Sequence, residues 1–185
     1  MIARTIGRRY AKALMSVTVD RAENPEDLLA ELEAVAGALA AEPRFGELMA
    51  NPKVLLSERL ASLGRFLDKL QPRPLARHFF KMLLTKGRLG ALPEIVDEYR
   101  ALADDRAGLI RAAVTSAAPM AEADTERLRA ILGARFGKTV VLTSAVDPAL
   151  IGGLVVRIGS LSFDGSIRSQ LAAIHRQLLE EVTFS

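Results

Sequence analysis

The chain has 185 residues, of which 50% are hydrophobic and 5% aromatic, and its 25 basic and 22 acidic side chains give a net charge of +3. This apolar content supplies a core for one domain or two small ones and excludes a disordered chain. Cysteine is absent, which excludes disulfides, thiolate nucleophiles and cysteine-ligated metal centres. The small net charge and the few aromatic side chains argue against nucleic-acid binding, and no cofactor or metal site is expected.

The first predicted helix covers residues 1–19. Apolar residues recur there every three or four positions and form one stripe on a helix: Ile2, Ile6, Tyr10, Leu14 and Val17. The same stretch is basic and free of acidic residues, as mitochondrial transit peptides are. The regular stripe favours a helix of the folded domain over a targeting segment.

Five further helices are predicted between residues 24 and 105. Asn24 is expected to cap the first of these five helices and Ser57 to cap the third, which follows a short helix over residues 44–50. Pro43 ends one helix, Gly87 ends another in the left-handed conformation, and Pro93 opens the last. The predicted inward-facing side chains include Leu28, Leu32, Val35, Leu39, Leu60, Leu63, Leu67, Leu70, Val96, Tyr99 and Leu102. Such short connections predict a compact antiparallel bundle.

Strand patterns begin after residue 106. Ile110, Ala112 and Val114 alternate with Arg111, Ala113 and Thr115, which is the period of a half-buried strand. Further strands are predicted at residues 139–144, 154–158 and 161–163, where β-branched and apolar residues cluster.

Two helices are predicted among these strands. The helix over residues 122–135 should turn Leu128, Ile131 and Leu132 inward. The helix over residues 166–182 should be capped by Ser166, with an apolar face made by Ile167, Leu171, Ile174 and Leu178. The predicted fold class is therefore α+β and mainly α, with a six-helix bundle over residues 1–105 followed by a small α/β domain over residues 106–185.

The segment Gly133 to Thr139 resembles a phosphate-binding loop in composition. It has three residues between its glycines where a P-loop has four, and it follows a helix and precedes a strand, which is the reverse of the P-loop order. A glycine that ends a helix before a strand is the favoured interpretation. A small nucleotide-binding protein that uses residues 133–139 stays as an alternative.

The remaining polar candidates do not form a catalytic pattern. His78 lies beside two phenylalanines and is predicted to be a packing or interface residue, and His175 is far from it in sequence. The adjacent carboxylates at 104–105 and 180–181 are typical of solvated positions, and no serine has nucleophile-elbow context. The sequence therefore favours an interaction protein over an enzyme.

The predicted fifth helix is apolar on several sides. Phe79, Phe80, Met82, Leu83 and Leu84 can all belong to the core, or some of them can line a groove for a partner helix. Periodicity supports both interpretations equally.

Five segments in order along the chain carry a family resemblance. They are residues 9–14 (Arg-Tyr-Ala-Lys-Ala-Leu), 86–93 (Lys-Gly-Arg-Leu, then Leu-Pro), 114–117 (Val-Thr-Ser-Ala), 147–153 (Asp-Pro-Ala-Leu-Ile-Gly-Gly) and 164–167 (Asp-Gly-Ser-Ile). Together they resemble the δ subunit of bacterial F-type ATP synthase, which is called OSCP in mitochondria. Lys86 stands where that family usually has Asn.

The resemblance implies a stator subunit with no active site and no cofactor. Its N-terminal domain would be a six-helix bundle on the catalytic head that captures N-terminal helices of the α subunits in a groove between its first and fifth helices. By position, the groove residues would be Tyr10, Ala13, Leu14, Val17, Phe79, Met82 and Leu83. The C-terminal domain would bind the b subunits of the peripheral stalk, and one copy would lie at the cytoplasmic face of the bacterial inner membrane. A helical nucleic-acid-binding adaptor is a further alternative.

Overall fold

The computed structural model describes residues 2–159 and 161–171, with side chains described from residue 5 onward. The chain divides into two compact units, Met1–Ala103 and Asp104–Ser185. Among the helices that the structure describes, none has both the length and the apolar character needed to cross a bilayer.

The first unit is built of α-helices. Within the described residues these are α1 (Ile2–Asp20), α2 (Pro25–Ala41), α3 (Pro43–Ala50), α4 (Leu56–Leu70), α5 (Pro74–Thr85) and α6 (Leu92–Arg106), and a 3-10 turn at Leu89–Ala91 precedes α6. Proline occupies the first position of α2, α3 and α5, where its missing N–H leaves no intrahelical bond unmade. The predicted six-helix region is confirmed.

Of the two predicted N-terminal caps, the one for α2 is present and the one for α4 is not. The Asn24 side chain accepts a hydrogen bond from the Glu26 backbone N–H at 3.0 Å, so the predicted cap of α2 is confirmed. The predicted cap of α4 by Ser57 is wrong. Because the Glu58 backbone N–H already donates to the Leu55 carbonyl, Ser57 lies inside the first turn and no side chain caps this helix.

The end of α5 follows its glycine. Gly87 has a φ of 63°, and its N–H donates to the Leu84 carbonyl at 3.0 Å. The next residue, Arg88, donates its N–H to the Leu83 carbonyl at 2.8 Å. These two bonds close the last turn in the manner of a left-handed glycine cap, as predicted.

The face that α1 buries differs from the predicted stripe. The buried positions are Gly7, Ala11, Leu14 and Thr18, whereas Ile6 and Tyr10 are half-buried, Val17 is 37% exposed and the Ile2 side chain lies outside the described residues. A Cβ added to Gly7 would lie 2.9 Å from the Glu94 carbonyl oxygen, so glycine lets α1 approach α6 closely. The helix is turned so that Gly7, Ala11 and Thr18 are buried together with Leu14, and Val17 is left on the accessible side.

A buried hydrogen-bonded chain accompanies this approach. The Tyr99 hydroxyl donates to Thr18 Oγ1 at 3.1 Å, and Thr18 Oγ1 donates to the Leu14 carbonyl at 2.8 Å. Tyr99 and Thr18 are both fully buried, and burial raises the pKa of the Tyr99 phenol, which keeps the donor proton in place. Thr18 Oγ1 therefore accepts the hydrogen bond of the buried Tyr99 hydroxyl and donates one to a carbonyl of its own helix, so both buried hydroxyls have partners.

The second unit is a small α/β fold. Its strands within the described residues are β1 (Leu109–Ser116), β2 (Thr139–Val146), β3 (Leu154–Ile158) and β4 (Leu161–Asp164), and α7 (Glu122–Phe136) lies between β1 and β2. The strand order is β2-β1-β3-β4, with β1 and β2 parallel and the other pairs antiparallel. The predicted fold class, a helical bundle followed by a small α/β domain, is confirmed.

One face of this sheet packs against α7. Ala112, Val114, Val140 and Val156 are buried there with Leu132 of the helix. Ile131, which was predicted to face inward, is 57% exposed. At 3.6 residues per turn, Ile131 lies about 100° around the helix from Leu132. It therefore falls outside the face on which Leu128 and Leu132 pack against the sheet.

The predicted last helix is described in part. Residues 167–171 are helical, and the Ser169 N–H donates to the Ser166 hydroxyl oxygen at 3.2 Å, which confirms Ser166 as the cap. The remaining predicted positions of this helix, together with His175 and the carboxylates at 180–181, lie outside the described residues.

Candidate partner-binding surfaces

The predicted groove residues of the first unit separate into buried and accessible groups. Leu14, Phe79 and Leu83 are buried, at 4%, 5% and 0% exposure. Tyr10 and Met82 are half-buried and pack against the same hydrophobic cluster. The structure therefore brings these five residues of α1 and α5 into one core.

The accessible apolar surface of α1 lies beside that core. Ala13 is exposed and Val17 is 37% exposed; Ala13 is three residues after Tyr10 and Val17 four residues after Ala13, so all three share a helix face. Most of α5 offers no such surface, because Phe79, Phe80, Leu83 and Leu84 are all buried. In the chain by itself these four side chains belong to the core, and His78 is exposed.

The second unit has an apolar groove. It has a volume of about 570 Å³ and lies between α7, the chain that follows β1 and the turn before β3. Ile131 and Ile151 are its most accessible apolar side chains, at 57% and 69% exposure, and Asp124 and Arg127 give it a polar edge. Sequence reasoning missed both isoleucines, since it assigned Ile131 to the core and read the segment of Ile151 only as part of a motif.

Two glycines shape the turn that borders this groove. A Cβ on Gly153, whose φ is 79°, would lie 2.3 Å from the Gly165 carbonyl oxygen, and a Cβ on Gly152 would lie 2.5 Å from the Ile167 side chain. The two segments are hydrogen bonded, with the Ile167 N–H donating to the Gly152 carbonyl at 3.0 Å. Gly153 therefore permits two backbone segments to approach closely, and Gly152 leaves room for the Ile167 side chain.

Asp164 is hydrogen bonded to the start of the helix that follows β4. Its carboxylate accepts hydrogen bonds from the Ser169 hydroxyl at 2.7 Å and from the Ser166 backbone N–H at 2.9 Å. These bonds, the one from Ser169 foremost, lower the pKa of the Asp164 carboxyl. Its folded pKa therefore lies below its unfolded value of about 3.9, so Asp164 stabilises the fold above that pH and the contribution is lost as pH falls through the lowered pKa.

We expect Asp164→Asn to reduce the loss of stability on acidification. Urea unfolding of the second unit, followed from about pH 6 to pH 2, should fall less steeply in this variant than in the original chain. Asp124→Asn, which changes an exposed aspartate in the first turn of α7, is the matched control and should change the slope less. An unchanged slope in Asp164→Asn would show that the Ser166 and Ser169 bonds do not hold the ionised carboxylate.

The segment from Gly133 to Thr139 is a helix end. Gly137 has a φ of 64° and donates its N–H to the Gly133 carbonyl at 2.8 Å, which is the predicted glycine cap. Lys138 Nζ lies 2.6 Å from Asp105 Oδ1, and this bond lowers the pKa of the Asp105 carboxyl. The lysine is thus engaged with a carboxylate of its own unit. Within the described residues no group of three His, Asp or Glu side chains is placed to hold a metal ion.

A family model described as the ATP synthase delta (OSCP) subunit matches residues 6–178, which cover most of each unit. The chain belongs to the ATP synthase delta (OSCP) subunit family. One relative, the "ATP synthase subunit delta" of Anaeromyxobacter sp. (strain Fw109-5), is 37% identical over 178 residues, or 96% of this chain and 99% of that one. Another, from Desulfatibacillum aliphaticivorans, is 38% identical over 173 residues and covers 94% of each chain.

The delta (OSCP) fold also has a counterpart among solved structures. A chain in the cryo-EM structure of the Toxoplasma gondii mitochondrial ATP synthase hexamer superimposes with a TM-score of 0.69 over 94% of this chain and 97% of that one. The two sequences are 20% identical, so this likeness concerns the fold. It agrees with a delta (OSCP) arrangement of a helical region followed by a small α/β region.

Proposed function

We propose that this chain works as the non-catalytic stator subunit of a proton-translocating F1Fo ATP synthase. The observation that supports this most is the delta-family match across both units, with relatives of that name aligned along almost their whole length. The subunit would join the catalytic head to the peripheral stalk at the cytoplasmic face of a bacterial inner membrane. It would meet the membrane only through the complex.

The proposed work is mechanical. A joint that keeps the head from turning with the rotor has to stay bound under torque, and slow dissociation comes from desolvated apolar contacts with a few large anchor residues. Reactive side chains are not required for this. Accessible apolar surface occurs on each unit, at Val17 of α1 and at Ile131 and Ile151 of the groove.

We place the contact with the head on α1. An amphipathic N-terminal helix of an α subunit would lie against Tyr10, Ala13 and Val17, with Met82 of α5 at its edge. In this proposal Leu14, Phe79 and Leu83 pack the same two helices into the bundle. The three residues on α1 form one accessible face beside the core, which is the shape that an added helix needs.

Val17→Asp should weaken binding to the head about tenfold or more, because it puts a charge into an apolar contact. The measurement is calorimetric titration with a synthetic N-terminal peptide of the α subunit, together with rebinding to heads depleted of their delta subunit. Val19→Asp is the matched control, since Val19 is 36% exposed on the same helix but half a turn away. Equal affinity of the two variants would rule out this face of α1, and a folded original chain that rebinds no head would rule out the stator function.

We assign the second unit to the b subunits of the stalk. The groove beside α7 combines apolar walls with a polar edge, which suits the apolar face of a helix end. Neither Ile131 nor Ile151 belongs to the core of that unit, so both remain available to a partner.

A further inference from the structure

The helical bundle contains a recess that the proposed contacts do not use. It has a volume of about 390 Å³ and lies between α2, α3, α4 and the chain from Leu84 to Pro93. Most of its lining is small or aliphatic: Ala36, Leu39, Ala40, Gly46, Met49, Ala50, Leu84, Gly87, Leu89, Gly90, Leu92 and Pro93. Segment 86–93, one of the family-like segments of the sequence, thus contributes to one wall of the recess in addition to ending α5 and connecting it to α6.

Arg59 of α4 is the single charged residue in that lining. Its Nη1 donates to the Met49 carbonyl at 3.1 Å, whereas its Nε is buried and has no acceptor among the described residues. No described carboxylate forms an ion pair with it, in contrast to Arg73, whose Nε lies 2.6 Å from Glu31 Oε1. A shielded N–H without an acceptor costs free energy, so Arg59 would gain a hydrogen bond if its side chain turned to present this closed edge to an anion in the recess.

We propose that the recess binds a short aliphatic monocarboxylate. With the Arg59 side chain turned toward the recess, the carboxylate would accept two parallel hydrogen bonds from Nε and Nη2, the edge that does not take part in the Nη1 bond to Met49. The aliphatic chain would lie on the apolar lining and leave water. This binding site goes beyond the stator function and does not depend on it.

The size and the charge of the recess select this ligand class. Its volume is near the lower end of the about 300–1,000 Å³ of small-molecule sites, which suits a short chain better than a long acyl chain. One guanidinium edge matches one carboxylate, whereas a nucleotide or another polyphosphate needs several donors around it. The apolar lining supplies none of these donors.

Octanoate is the probe for the test. Titration into the ¹⁵N-labelled full chain should move the amide signals of Gly46, Gly87 and Gly90, which line the recess. Acetate, which has the charge without the chain, and 1-octanol, which has the chain without the charge, should each bind at least about tenfold more weakly. Failure of octanoate to bind, or shifts confined to other parts of the chain, would overturn the proposal.

Two variants and a control locate the site. Arg59→Met replaces the guanidinium by an apolar side chain of similar shape and should lower octanoate affinity about tenfold or more. The control Arg44→Met removes an exposed arginine of α3 that lies outside the recess and should leave octanoate affinity unchanged. Gly46→Leu should also block binding, because Gly46 lines the recess and a Cβ built there meets no atom within 4 Å. Octanoate affinity unchanged in both Arg59→Met and Gly46→Leu would overturn the assignment, and neither variant alters the α1 face that tests the stator function.

Discussion

Gly153→Ala is expected to destabilise the second unit by about 3 kcal/mol or more and to leave the stability of the helical bundle unchanged. The new methyl group would lie 2.3 Å from the Gly165 carbonyl oxygen and 3.0 Å from Ser166 Cα, at a φ of 79°. Both neighbours are backbone atoms, so no side chain can rotate out of the way. Left-handed strain alone costs about 1–3 kcal/mol, and the clash adds to it, so a total of about 3 kcal/mol or more is expected.

That cost is a large part of the about 5–15 kcal/mol that stabilises a typical small domain. Chemical unfolding monitored by backbone amide signals of each unit would separate the two transitions. Gly108→Ala is the matched control, because Gly108 belongs to the same unit and has a φ of 66°, but a Cβ there meets nothing within 4 Å. It should cost only about 1–2 kcal/mol. Equal losses in the two variants would show that the contact with Gly165 is not what restricts this position.

Replacing Ile131 and Ile151 together by aspartate is expected to weaken stalk binding about a hundredfold. Each substitution puts a charge where the proposed groove presents its most accessible apolar surface, and central apolar anchors of an interface are each worth at least about 1.4 kcal/mol, or tenfold. Because both side chains are more than half exposed, the fold of the unit should not change.

The measurement is the dissociation constant for a C-terminal fragment of the b subunit, with circular dichroism as a check of folding. Val146→Asp is the control, since Val146 is 50% exposed in the same unit but does not line the groove. Unchanged affinity of the double variant would exclude the groove as the stalk contact. An equal loss in Val146→Asp would mean that added negative charge, and not the groove, governs binding.

Element boundaries were largely predictable from the sequence because their causes are local. The start of α2 depends on Asn24 and Pro25, and the ends of α5 and α7 depend on Gly87 and Gly137, so each is decided within one turn of helix. Ser57 shows the limit of such signals. A serine near the start of α4 has the right chemistry for a cap, but the Leu55 carbonyl accepts the first hydrogen bond of the helix, so Ser57 lies past the capping position.

The orientation of α1 was not predictable, because it depends on a distant partner. Apolar periodicity pointed to Tyr10 and Val17, whereas the structure buries Gly7 and Thr18 against Glu94 and Tyr99 of α6. Neither Gly7 nor Thr18 is a large apolar residue, so a search for apolar periodicity does not select them as buried positions.

The same reason limits prediction of the candidate surfaces. The sequence shows that α5 is apolar on several sides but not how many neighbours cover it, so Phe79 and Leu83 could not be assigned to core or surface. In the second unit, Ile151 lies in a turn, where periodicity has no meaning, and its exposure depends on where Gly152 and Gly153 direct the chain.

The contacts of α1 with α6 have a consequence for how force would travel in the assembly. In the proposed arrangement the head pulls on α1, which touches α6 at Gly7 and Glu94 and is bonded to it through Thr18 and Tyr99. The chain leaves α6 at Arg106 and enters β1 of the second unit three residues later. A load on α1 would therefore pass to α6 through these two contacts and would then follow the covalent chain into β1.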